Sequence, residues 1–126
     1  MSKVIFESFC DKDTFDIAFK IANNLKVRST PVAVCLDGDL GVGKTVFAKG
    51  IGAGLNIKKD IVSPTFNIVK TYEGEKRLHH FDVYRIGSSD EMYDIGFEEY
   101  IASEGVCIIE WSQIIEDILP DERLDI

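Results

Sequence analysis

The sequence predicts an α/β fold in three layers, with a mixed, mostly parallel central sheet between two layers of helices. Three observations point there. Short apolar runs alternate with segments of helical period along the chain. Pro31 to Leu36 and Val106 to Trp111 are almost continuously apolar, as strands covered on both faces are. Two further runs lie on either side of a turn at Gly74, close enough to pair as a hairpin, which puts an antiparallel pair into the sheet.

The elements follow in order. Val4 to Phe9 reads as a first strand. Asp11 or Asp13 can cap a helix that carries Ile17, Ala18, Ile21, Ala22 and Leu25 on one face. The buried strand Pro31 to Leu36 leads into a glycine-rich turn, and a second helix is expected from about Lys44 to Leu55. That helix contains Gly50, Gly52 and Gly54, each costing about 1 kcal/mol against Ala in a helix interior. Close packing against the sheet would account for them. Phe66 to Tyr72 and Leu78 to Tyr84 are the hairpin strands. Asp90 opens a charged helical stretch with Met92, Ile95 and Tyr100. Pro120 closes a short helix, and Asp121 to Ile126 is a polar tail.

Composition narrows the function. A chain of 126 residues with 45% hydrophobic content suits one compact domain, 1–126. The net charge of −8 argues against gripping a nucleic-acid backbone directly, since phosphate contacts need clustered Lys and Arg. Cys10, Cys35 and Cys107 are odd in number and widely spaced, which disfavours a zinc site or a disulfide framework. No run approaches the roughly 20 apolar residues of a membrane span, and the amino terminus lacks a signal-peptide pattern. A cytoplasmic location without membrane partners is the expectation.

The glycine-rich turn carries the chemistry. Gly38-Asp39-Leu40-Gly41-Val42-Gly43-Lys44-Thr45 satisfies G-x-x-x-x-G-K-[ST] between a strand and a helix, which predicts a P-loop NTPase-like fold. Gly38, Gly41 and Gly43 let the backbone approach phosphate closely, and successive N–H groups form an anion nest at a helix N-terminus. Lys44 suits the β- and γ-phosphates, and the Thr45 hydroxyl suits Mg²⁺. A nucleoside triphosphate with Mg²⁺ is therefore the expected ligand.

Carboxylates could complete such a site. Val106-Cys107-Ile108-Ile109-Glu110 is an apolar strand that delivers one acid at its carboxyl end, where α/β sheets bind ligands. Asp82 falls within the run Leu78 to Arg85 and must face either water or a polar site. The loop Ser63-Pro64-Thr65-Phe66 can reach a γ-phosphate as switch loops do, or can be a plain turn set by Pro64. His79 and His80 point to opposite faces of a strand and read as ordinary strand residues. Trp111 reads as a core or interface aromatic on the face opposite Glu110.

The segments GDLGVGKTVFAKGIGAGL, SPTFNIVKTY, HHFDVYRI and IIEW resemble, in order and spacing, the TsaE family, also called YjeE. The resemblance covers nearly the whole chain. It implies a bacterial ATPase needed for N6-threonylcarbamoyladenosine at position 37 of tRNA. The partners it implies are TsaB and TsaD, with tRNA reached only through that complex. By position, Gly38 to Thr45 resemble the family's phosphate loop. Thr45 and Glu110 would hold Mg²⁺, Asp82 would act near the metal or the attacking water, and Thr65 would be the switch-like residue. Trp111 resembles the tryptophan beside the active-site acid, and Thr14 a position near the base. Val46 stands where the family has a second Thr, and the family continues with strand residues beyond the segment that ends here at Ile126.

Other P-loop readings fit less well. A small-molecule kinase needs an Arg-rich lid, and only Arg28, Arg77, Arg85 and Arg123 are present. The segment Asn56 to Asp60 does not fit the N-K-x-D motif that reads guanine. A non-catalytic nucleotide sensor that recruits a partner stays open beside slow hydrolysis.

Overall fold

A computed structural model of the chain describes residues 10–28, 30–36, 41–62, 64 and 68–126. The expected first strand, Val4 to Phe9, lies outside the described residues. Helix α1 spans Asp11–Leu25 and buries Ala18, Ala22 and Leu25. Its N-cap position is Cys10; Asp11 and Asp13 lie in the first turn, where their charge meets the positive helix end.

Strand β1 (Val32–Leu36) precedes helix α2 (Gly41–Gly54). The helix starts three residues before the expected Lys44, so Gly41, Val42 and Gly43 form its opening turn. Gly50 and Gly54 answer to α1 and not to the sheet. A Cβ on Gly50 would lie 2.6 Å from that of Ala18, and one on Gly54 would lie 2.4 Å from that of Ala22. Gly52 faces Ile61. Small residues on both helices let their backbones approach closely, and this fixes where α2 carries Lys44.

Strands β2 (Val69–Tyr72) and β3 (Leu78–Asp82) pair antiparallel, as the hairpin reading expected. β3 ends two residues earlier than its apolar run suggests, so Asp82 is its last residue and not an interior one. The charged helical stretch breaks into α3 (Asp90–Asp94) and α4 (Phe97–Ala102). Gly96 sits between them at φ +81°, a left-handed conformation that glycine adopts without a Cβ penalty. Strand β4 (Val106–Glu110) is followed by a 3₁₀ helix, Ser112–Ile118. The polar tail hides a short strand, β5 (Leu124–Asp125).

The five strands run in the order β2-β3-β4-β1-β5. β3, β4, β1 and β5 are parallel, and β2 is the antiparallel edge. Strand alternation sorts the core into two clusters. Val34, Leu36, Leu78, Val106 and Ile108 pack with α1 and α2 on one face. Cys35, Phe81, Cys107 and Ile109 pack with Met92 of α3, Phe97 of α4 and Ile115 of the 3₁₀ helix on the other. The three predicted layers are therefore present. Among the described residues no helix is long and apolar enough to cross a membrane.

Candidate functional site

The parallel register gathers the site at one end of the sheet. Leu36, Glu110 and Asp82, the last residues of β1, β4 and β3, are register partners in a row. Neighbouring strands lie about 4.8 Å apart, so the two acids stand side by side at the carboxyl ends, where the expected metal position lies. Glu110 is buried at 4% exposure. Asp82 is half-buried, and its carboxylate accepts a hydrogen bond from the Tyr84 backbone N–H at 3.1 Å. Among the described residues, no three His, Cys, Asp or Glu side chains converge as a metal centre. A cation here would take phosphate and water oxygens as well as protein ligands, which is how Mg²⁺ is usually held.

Lys44 occupies the first turn of α2 and is only 5% exposed. Its Nζ has no hydrogen-bond partner among the described residues. It lies 3.7 Å from the ring centroid of Trp111, the residue after Glu110. A cation over an indole gains about 2 kcal/mol when desolvated, well short of the cost of burying an unpaired ammonium. An anion that reached Nζ would complete the arrangement. The site thus fits a phosphate group through an orphaned buried cation.

Trp111 packs against the cluster of Cys107 and Ile109, on the face opposite Glu110 as the sequence predicts. It leaves the strand with φ +63°, and its ring also lies under the lysine, a contact the sequence does not show. Tyr84, exposed and two residues past the end of β3, packs against it with 4.8 Å between ring centroids. His80 corrects the sequence reading. His79 and His80 do face opposite sides, but His80 Nε2 lies 2.5 Å from Glu110 Oε2 and is no ordinary strand residue. His79 instead meets the Thr71 hydroxyl at 2.8 Å and the edge of Tyr100. Burial, and then the nearby Arg77, push the His79 imidazole below its ordinary pKa. Alternation placed His80 and Asp82 on one face; only the register could add Glu110.

The remaining positions are placed unevenly. Thr45 is half-buried in the same helical turn as Lys44. Thr14 lies in the first turn of α1, its N–H donating to the Cys10 carbonyl at 3.2 Å. Gly38, Asp39, Leu40 and Thr65 lie outside the described residues.

A three-layer sheet with a P-loop sequence running into α2, and acids closing adjacent parallel strands, defines a P-loop NTPase-like α/β chain. The family model for threonylcarbamoyl adenosine biosynthesis protein TsaE matches residues 10–126. The chain belongs to the TsaE family. It is 51% identical over 92 residues to the tRNA threonylcarbamoyladenosine biosynthesis protein TsaE of Bacillus subtilis, a match that takes 72% of this chain and 57% of that one. The Treponema pallidum protein of the same name is 43% identical over 93 residues, covering 74% and 69%. That of Rickettsia prowazekii is 40% identical over 119 residues, covering 91% and 78%. The chain's match therefore spans little more than half the length of the Bacillus relative. The crystal structure of Bacillus subtilis YdiB superposes with a TM-score of 0.70 at 36% identity, over 94% of this chain and 70% of that one.

Proposed function

We propose that this chain binds ATP with Mg²⁺, hydrolyses it, and so serves tRNA N6-threonylcarbamoyladenosine biosynthesis through TsaB–TsaD-like proteins. The relatives are named for that biosynthesis. The observation that carries the nucleotide part is the buried Lys44 ammonium at the start of α2, which has no hydrogen-bond partner among the described residues.

In this reading Lys44 binds the β- and γ-phosphates, and the backbone of Gly38 to Thr45 cradles them at the positive end of α2. Thr45, Glu110 and Asp82 hold Mg²⁺, which supplies charge neutralisation at the phosphate oxygens when bound. Asp82 also orients the attacking water, Thr65 senses the γ-phosphate, and Thr14 lies toward the base. The net charge of −8 agrees with work through protein partners, with tRNA reached only indirectly.

Calorimetry with MgATP tests the site. Lys44→Ala should weaken binding by about 10- to 100-fold, the loss of one charge-assisted contact. Equal affinity in the two proteins would remove the phosphate assignment. Reconstituted tRNA modification with TsaB and TsaD tests the pathway: product turnover should depend on this chain and fail with Lys44→Ala. Turnover indifferent to both would remove that assignment.

A further inference from the structure

His80 lies in β3, on the sheet face that carries Leu78 and is packed by α1 and α2. It is 0% exposed, and Glu110 beside it is 4% exposed. The side chains meet at 2.5 Å, Nε2 to Oε2. The other ring nitrogen, Nδ1, is buried without a hydrogen-bond partner among the described residues. A carboxylate only accepts, so the atom facing it must donate. The proton therefore belongs on Nε2. An apolar residue at position 80, next to its register partner Ile108, would fill the core at lower desolvation cost. It could not hold Glu110.

We propose that His80 is the positioning residue of the site: its Nε2–H fixes the Glu110 side chain, takes Oε2, and leaves Oε1 as the oxygen offered to the cation. The inference rests on the Mg²⁺–nucleotide reading above. A ligating carboxylate held by a hydrogen bond from behind keeps one orientation, and loss of such a partner typically costs 10- to 100-fold in metal affinity or activity.

The test uses two variants and two independent readouts. His80→Leu removes the donor; His80→Gln keeps an N–H at about the place of Nε2. Long-range ¹H–¹⁵N spectra of the nucleotide-free protein read the tautomer directly, and with two histidines in the chain His79→Gln assigns them. His80 should carry a proton on Nε2; a ring protonated on Nδ1 alone overturns the proposal. MgATP hydrolysis should fall 10- to 100-fold in His80→Leu, with affinity for metal-free ATP unchanged, and His80→Gln should recover most of it. Wild-type turnover in His80→Leu, or equal loss in both variants, overturns it. Should the wild-type chain bind MgATP without turnover, hydrolysis fails as a reading but His80 is still decided. The gain in nucleotide affinity on adding Mg²⁺ should then vanish in His80→Leu and persist in His80→Gln, and an equal gain in all three overturns the proposal. Absence of nucleotide binding in the wild type removes both readings.

Discussion

A methyl group added at Gly54 sets two energies against each other. In an exposed helix, Gly→Ala is worth about 1 kcal/mol of added stability. In α2 the new Cβ would stand 2.4 Å from the Ala22 Cβ and 2.9 Å from the Phe19 carbonyl oxygen. Ala22 is 0% exposed and both atoms are short, stiff parts of α1, so no flexible side chain can swing away. Carbon atoms need roughly 3.5–4.0 Å, so α1 must shift outward by about 1 Å or more. Overpacking of this kind costs about 1–3 kcal/mol, and with contact this close the upper end applies. The net expectation for Gly54→Ala is a loss of about 2 kcal/mol. Urea unfolding should show a lower midpoint at unchanged slope. Ala22→Gly removes one of the two obstacles, so the double variant should be more stable than the sum of the singles allows. A Gly54→Ala protein as stable as the wild type, or more so, would refute the reasoning. It would mean that propensity outweighs the helix–helix contact.

Three further outcomes are expected. Because burial keeps His79 neutral below its ordinary pKa, the unfolded chain takes up a proton first as pH falls through about 6.5, so the His79 contribution is lost on acidification. Urea midpoints at pH 7.5 and 5.5 should therefore differ less in His79→Gln than in the wild type, and an equal difference would exclude His79 as a source. Burial pushes the Cys107 thiol up to about 12 and Cys35 is fully buried, whereas Cys10 is exposed. A thiol reagent at pH 8 should label one cysteine quickly in the native protein and all three once unfolded; two fast native thiols would contradict this packing. Trp111 is the single tryptophan and carries Lys44 on its ring, so its emission should change when MgATP draws the ammonium onto phosphate. A flat titration, with binding seen by calorimetry, would remove that coupling.

Much of this was legible along the chain because it is local. Apolar period and breakers mark α1, β1, β4 and the hairpin of β2 and β3, and the spacing of Gly, Lys and Thr marks the loop proposed here to hold phosphate. Glu110 announced itself as the acid ending an apolar strand. β5 was illegible because Leu124 and Asp125 are exposed and form a strand only by pairing with β1. The break between α3 and α4 was missed because one glycine in a helical stretch does not declare its φ.

Within the site, the sequence by itself determined which residue types were available: a lysine, a threonine and two acids, with a tryptophan beside one of them. The tertiary structure decided which of them meet. It made Asp82 a strand end level with Glu110, turned Trp111 under Lys44, and set His80 against the Glu110 carboxylate. These are contacts between residues as many as 67 positions apart, Lys44 to Trp111, and they depend on strand register and helix placement. Register is an energy summed over the whole sheet and its two cores, so no local pattern carries it.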